Sequence, residues 1–471
     1  MPRRERATMA DLRERLAAQA EEAARAARGP GVAATLRRAR ARRRRLLGGR
    51  VALSLLLVAG LAGLTSRLLD EREPASPPQP TAPLPRQIAP LWTARGAASE
   101  PLAPQDRTLR AVGDLVVATT GFGGPSGRTR AYDARTGAFR WLHRTGPNAF
   151  ITAVGGGMVV VAPQYGPLVG LELATGRERW RFPLAEGQGP ESGTVAGDTL
   201  YVGTSFPAEG NDDPPVVYAL DVATGRQRWR TVLDPGTDLQ WAGPVVDGGQ
   251  VLVADTLSHE GSAPASHLHA LDAATGRRRW RADLHAPTQG FFNDHPVLAG
   301  GLVYLPTASG MLLAVDARSG REVWRDDSGF PVLAGVRDGL VIALVDGRLV
   351  GFDAATGARR WQTGVGTGAG EQWAVLDGDT VLAAAGGALV AVDAASGAAR
   401  WRAPVGPAVG QPVVAGDRVY VATRDRLVAV DRGSGSELWA SSRLRPVTAP
   451  VVTAGRVVVA TRDGTLLGFA P

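Results

Sequence analysis

The chain has 471 residues and no cysteine. That excludes disulfides and thiolate metal sites, and it leaves the redox compartment open. There is no lysine, so all 53 basic residues are arginine. With alanine and glycine abundant, this reads as codon bias and not as adaptation to a ligand. Asparagine occurs only at Asn148, Asn211 and Asn293. No Gly-x-Ser-x-Gly elbow, His-Glu-x-x-His pair or phosphate-cradling loop is present, which removes the commonest hydrolase, metalloprotease and nucleotide-binding signatures. No long helical period follows residue 90.

The formal charge of +8 is unevenly placed. Residues 1–50 carry 15 arginines against Glu5, Asp11, Glu14, Glu21 and Glu22, a net +10, so the remainder carries about −2. Uncharged residues 51–66 are fewer than the ~20 needed to span a bilayer. Extension to 46–69 gives a 24-residue window whose two arginines, Arg50 and Arg67, lie near its ends and can snorkel. The expected organisation is a basic cytoplasmic arm at 1–45, a transmembrane signal anchor at 46–69 and a Pro-rich linker at 70–90. The rest, 91–471, lies outside the cytoplasm. A cleaved signal peptide, a twin-arginine signal at Arg43-Arg44-Arg45 and a buried helix are the rival readings. The basic arm suits an anionic membrane surface, at ~1 kcal/mol per nearby arginine. No aromatic side chain interleaves its arginines, which argues against nucleic acid. Seven prolines between Pro74 and Pro90 make an extended tether.

Past residue 90 one phrase recurs eight times: an acid, Thr or Ser three residues later, an unvarying Gly, and Trp eight residues after the acid. The copies are Asp133–Gly137–Trp141, Glu172–Gly176–Trp180, Asp221–Gly225–Trp229 and Asp272–Gly276–Trp280. They continue as Asp316–Gly320–Trp324, Asp353–Gly357–Trp361, Asp393–Gly397–Trp401 and Asp431–Gly435–Trp439. Self-similarity at roughly 40 residues means a repeat architecture. Between motifs lie short Val/Ala/Leu-rich runs separated by Gly-Asp or Gly-Gly, the pattern of antiparallel strands joined by tight turns. Each repeat is expected to be a four-stranded sheet, A-B-C-D, with the acid ending strand C and Trp in strand D. The acid and the Thr or Ser should bond locally, Gly should take a left-handed corner, and Trp should wedge between sheets.

Such a sheet cannot bury both faces alone, and radial stacking solves this while leaving only short edges. Residues 448–471 supply strands A, B and C without a following motif. Leu91-Trp92 stands before the first repeat like an orphan strand D. The expected fold is an all-β, closed β-propeller of eight blades, with nine left open, in which the strand at Trp92 completes the last blade.

The segments 196–204, AGDTLYVGT, and 415–439, AGDRVYVATRDRLVAVDRGSGSELW, resemble repeats of the quinoprotein-type (PQQ-like) β-propeller superfamily. The resemblance covers about residues 90–471. It implies the propeller fold and two kinds of activity, since the superfamily holds quinone-dependent dehydrogenases and non-catalytic scaffolds, among them the lipoprotein of the outer-membrane assembly machinery. The dehydrogenase reading implies an adjacent Cys pair and a Ca²⁺ site of Glu, Asn and Asp. This chain has no Cys, and no such set stands in matching context, so no catalytic residue, cofactor or metal is assigned.

Residues that recur in every copy build the repeat, so recognition is sought where copies differ. The long B–C loops at Thr204–Pro215 and Asp255–Ser266, and the links at Thr231–Gln240 and Ala286–Asp294, share one face of consecutive blades. Variable loops on a rigid scaffold carry binding. The candidate partner-binding rim is Asp212, Asp213, Trp241, His259, Glu260, Phe291, Phe292, Asp294 and His295. His267 and His269 alternate on one strand and so share a sheet side. The expected activity is a non-catalytic binding or assembly scaffold for a protein, glycan or lipid on the extracytoplasmic side, with an enzyme and a transmembrane sensor as alternatives.

Overall fold

The computed structural model describes residues 86–95, 109–120, 127–164, 166–185, 188–205, 214–234, 237–239, 243–257, 266–284, 296–307, 310–327, 329, 331–366, 372–446 and 448–471. All belong to one compact unit, Leu84–Pro471. The anchor expected at 46–69 lies outside them. Among the described residues, no helix is long and apolar enough to cross a membrane.

Blade 3 shows how each sheet is made. Gly189–Ala196 (A), Thr199–Ser205 (B), Val216–Asp221 (C) and Gln227–Val232 (D) pair antiparallel in sequence order. Eight complete sheets of this kind follow one another: blade 1 at 109–146, blade 2 at 150–182, blade 3 at 189–232, blade 4 at 237–283, blade 5 at 297–326, blade 6 at 331–364, blade 7 at 373–404 and blade 8 at 413–441. The ninth takes strands A to C from Val451–Thr453, Arg456–Ala460 and Leu466–Phe469, and strand D from Trp92–Ala94, with Trp92 opposite Gly468. The blade count is therefore nine, which corrects the expectation of eight. No motif copy is absorbed, so the eight copies and the split blade each build a sheet. The N-terminal strand closes the last blade as expected.

Two features have no counterpart in the repeat pattern. Arg86–Ile88, at the end of the proline-rich segment, runs parallel to Glu437–Ser441 as a fifth, outermost strand of blade 8. In blade 4, strand A is split. Thr237–Leu239 and Val245–Asp247 both pair with the same strand B, Gln250–Leu257. Part of the expected blade 3–4 link is thus strand.

The motif works through the wedge. In each of the eight copies Gly has φ between 68° and 74°, a conformation that costs a residue with a Cβ about 1–2 kcal/mol. It also has no room. A Cβ on Gly225 would lie 2.5 Å from the ring of Trp180, the Trp of the preceding blade. The same holds around the ring, and Gly137 of blade 1 receives Trp92 of blade 9 at 2.5 Å. The indole N–H then donates to the carbonyl one residue past the next acid: Trp180 to Val222 at 2.9 Å, Trp229 to Ala273 at 2.9 Å, and Trp92 to Ala134 at 3.0 Å. Trp361 departs from this, with its N–H unpaired although its ring still covers Gly397, and Trp439 faces blade 9, which has no motif acid. Burying one such side chain contributes on the order of 4–6 kcal/mol of transfer free energy.

The corner is locked as the sequence suggested. Asp221 Oδ1 accepts the Thr224 N–H at 3.0 Å and its hydroxyl at 2.8 Å. The other carboxylate oxygen meets an arginine just before Trp, Arg228 at 2.8 Å. That arginine recurs as Arg140, Arg179, Arg279, Arg360 and Arg400, and is replaced by Val323 and Leu438 in blades 5 and 8.

Along strands B and C, alternate residues face the two neighbouring blades. In blade 4, Val251, Val253 and Leu271 pack toward blade 3, while Leu252, Leu268 and Ala270 pack toward blade 5.

Candidate functional site

The face of blade 4 that packs on blade 3 is apolar at the turn end and ionic at the loop end. Following the alternation from Val251 and Val253, the next residue on that face is Asp255. From Leu271 back along strand C, Ser266–Asp272, the next are His269 and His267. Antiparallel pairing puts Val253 opposite His269 and Asp255 opposite His267. Asp255 and His269 are fully buried and His267 is 8% exposed.

The three groups bond as a unit. Asp255 Oδ1 accepts the backbone N–H of His267 at 3.0 Å and lies 2.8 Å from its Nδ1. Asp255 Oδ2 lies 2.8 Å from His269 Nε2. One carboxylate therefore orients two imidazoles. When both rings are neutral, this fixes the protons on His267 Nδ1 and His269 Nε2 and leaves lone pairs on His267 Nε2 and His269 Nδ1. His269 Nδ1 is buried without a hydrogen-bond partner. His267 Nε2 lies 3.6 Å from Asp283 on strand D.

Asp234 enters from the end of blade 3, two residues past its strand D. It is bound by Arg278 at 3.1 Å and Arg281 at 2.8 Å, and Arg281 also reaches Asp283 at 2.8 Å. Burial pushes the Asp234 carboxyl upward. The hydrogen bonds from Arg281 and Arg278 outweigh it and hold the carboxyl below its ordinary range. One donor atom each from Asp234, His267 and His269 lies within 4.8 Å of the other two.

The same pairing register locates the equivalent positions in the other blades. Where blade 4 has Asp255, they have Thr120, Pro163, Thr204, Thr307, Val345, Ala385, Thr423 and Thr461. Where it has His269, they have Arg130, Val169, Tyr218, Leu313, Val350, Val390, Val428 and Leu467. The threonines explain part of the design. Thr204 Oγ1 accepts the N–H of Val216 at 3.3 Å, and Thr307 Oγ1 accepts that of Met311 at 3.0 Å. Asp255 keeps this backbone role and adds a charge and two imidazoles.

All nine rim residues proposed from sequence, Asp212, Asp213, Trp241, His259, Glu260, Phe291, Phe292, Asp294 and His295, lie outside the described residues. His267 and His269 do share a sheet side. Sequence reasoning placed Asp255 at the start of a loop and Asp234 inside a link. The structure runs strand B on to Leu257 and brings both carboxylates to the histidines.

The family described as outer membrane protein assembly factor BamB matches residues 125–263, 215–368, 264–410 and 405–471. The chain belongs to that family. Among solved structures, a europium-containing methanol dehydrogenase matches with a TM-score of 0.53 at 16% identity, over 79% of this chain and 84% of that one. Quinohemoprotein alcohol dehydrogenase from Comamonas testosteroni matches with a TM-score of 0.50 at 16% identity, over 81% of this chain and 76% of its own. BamB from Moraxella catarrhalis matches with a TM-score of 0.46 at 17% identity, over 82% of this chain and 100% of its own. At these identities the two dehydrogenase structures show the fold alone. No curated protein matches in sequence.

Part of the set expected of a quinone-dependent dehydrogenase is missing, since the chain has no cysteine to place against the cofactor. Among the described residues Asn148 is the one asparagine, and its Nδ2 donates to Gln164 Oε1 at 2.7 Å. The cluster in blade 4 is made of imidazoles and aspartates, with two guanidinium groups on Asp234.

Proposed function

We propose that this chain is a non-catalytic binding or assembly scaffold, held at the cell membrane by residues 46–69 with the propeller outside the cytoplasm. It would recognise a protein partner through the loop face of blades 3 to 5. One observation carries the reading. The recurring polar groups are consumed by the architecture, since each motif acid bonds its own corner and most indoles bond the next blade. What remains to differ between blades is the loop end, and the departures concentrate at blades 3 and 4. The assembly-factor description of the family supports a role of this kind, and the anchor rests on the apolar window and the arginine excess before it.

Cross-linking in intact cells, with residues 258–265 intact or replaced by an Asn-Gly turn, tests the proposal. That replacement keeps strand B, which ends at Leu257, and strand C, which starts at Ser266, with a tight connection between them. The expected outcome is loss of the cross-linked partner with the melting temperature nearly unchanged. A partner retained at full yield would remove the loop face as the recognition surface. Oxidation of alcohols or sugars after addition of quinone and Ca²⁺ would replace the scaffold reading with an enzymatic one.

A further inference from the structure

We propose that Asp234, His267 and His269 bind one divalent transition-metal ion of the zinc class, with Asp255 as the carboxylate that orients both imidazoles. Two observations support this site. First, two imidazoles and a carboxylate present donor atoms within 4.8 Å of one another, and this donor set suits zinc and its neighbours. Second, Asp255 bonds one nitrogen of each ring at 2.8 Å. Metal-bound histidines are characteristically held by such a carboxylate, which fixes the tautomer and strengthens the ligand. The fully buried His269 keeps its other nitrogen unpartnered, and an orphaned buried acceptor is costly unless something occupies it.

The site is a local departure from the repeat. Threonine, valine, alanine or proline serves at the position of Asp255 in every other blade, so fold construction does not require the cluster. A metal there would join the end of blade 3, through Asp234, to strand C of blade 4. Three protein ligands also leave a coordination position open to water or to an oxygen or nitrogen donor. The inference does not depend on the scaffold reading, since the ion can bind whether or not a partner does.

The test uses the untagged full-length chain, stripped with chelator, dialysed and titrated with Zn²⁺ and with Co²⁺. The expected result is one ion per chain and, for Co²⁺, visible d–d bands of a four- or five-coordinate nitrogen and oxygen site. Asp234→Asn and His267→Gln should each weaken binding by about 100-fold or more, and Asp255→Asn by ~10–100-fold, the range for an orienting carboxylate. Asp234 is part-exposed, so its variant keeps the test usable should a substitution at the buried His269 fail to fold. Circular dichroism and the melting temperature check each variant. His259→Gln, His285→Gln and His295→Gln should leave the titration unchanged. Absence of stoichiometric binding to the wild-type chain would overturn the site. So would binding that survives Asp234→Asn and His267→Gln, or binding lost in the His259, His285 or His295 variants.

Discussion

The two ends of blade 4 are built from the same strands and obey opposite rules. At the turn end, Asp272, Thr275, Gly276 and Trp280 repeat what the other motif blades have, and their partners are set by the neighbouring sheet: Trp229 on Gly276, and Trp280 on Gly320. At the loop end, Asp255 stands where other blades have a hydroxyl or apolar residue, and it bonds His267 and His269. Blade packing can only tolerate variation where no adjacent Trp fills the space. The turn end is a jigsaw in which a single methyl group is excluded, while the loop end connects strands through segments whose length differs from blade to blade. The contrast separates residues that answer to the ring from residues that answer only to their own blade.

The largest expected effect breaks the turn end. Trp180→Ala should cost about 3–5 kcal/mol by leaving the blade 2–3 interface hollow. Gly225→Ala should cost about 2–4 kcal/mol, from left-handed strain and from overpacking against the same ring. Chemical denaturation measures both, and the double variant should cost less than the sum, because alanine at 225 no longer meets an indole. Strict additivity would show that the 2.5 Å approach of Trp180 does not constrain that glycine.

Next comes the loop end. Asp255→Ala leaves two imidazoles and a backbone N–H without their acceptor and should cost about 2–4 kcal/mol. Its counterpart Thr204→Ala should cost ~1 kcal/mol, the usual value of one hydrogen bond. Equal losses in a side-by-side urea series would mean that Asp255 does no more than the hydroxyl it replaces. Smaller again is Gly197→Ala in an A–B turn. Its φ is +61° but nothing lies within 4 Å of a Cβ there, so only the backbone term of about 1 kcal/mol remains. A cost matching that of Gly225→Ala would contradict the distinction drawn between the two glycines.

The mildest effect concerns acid. Hydrogen bonds from Arg228 first and Thr224 second depress the Asp221 carboxyl to about 2. A carboxylate depressed on folding adds stability that is present above its unfolded value near 4 and is lost as pH falls toward 2. Arg228→Ala removes the larger cause, so the acid unfolding midpoint should move to higher pH, with little change at pH 7 because the pair is exposed. Arg325→Ala in blade 5, where the arginine pairs with Glu322 and not with the motif acid, should leave the motif acid's contribution in place. An identical shift in both variants would remove the role given to the Arg–Asp pair.

The fold was legible because its information is local and repeated. Asp, Gly and Trp at fixed spacing announced strands, corner and wedge, and Trp92 announced the closing strand. The count stayed open between eight and nine because the repeat pattern alone does not show that every motif copy builds its own sheet. The arginine before Trp stands in six of the eight copies, but spacing alone does not show that it returns to the motif acid. The cluster was not legible for a different reason. Asp255 and His267 are 12 residues apart and meet only through strand register, and Asp234 belongs to another blade. Thr237–Leu239 shows the same limit, since three residues of an expected link pair with strand B only because that strand runs on past Asp255.

The split ninth blade has a consequence for biosynthesis. The ring cannot shut until residues near 469 have left the ribosome, because Trp92 pairs with Gly468. For nearly the whole of translation the growing arc therefore carries two raw margins, one at each end. The parallel strip Arg86–Ile88 must likewise wait for blade 8. A chain cut short before Leu466 should leave an arc that sticks to others of its kind, whereas pairing of Trp92 with Gly468 covers the seam.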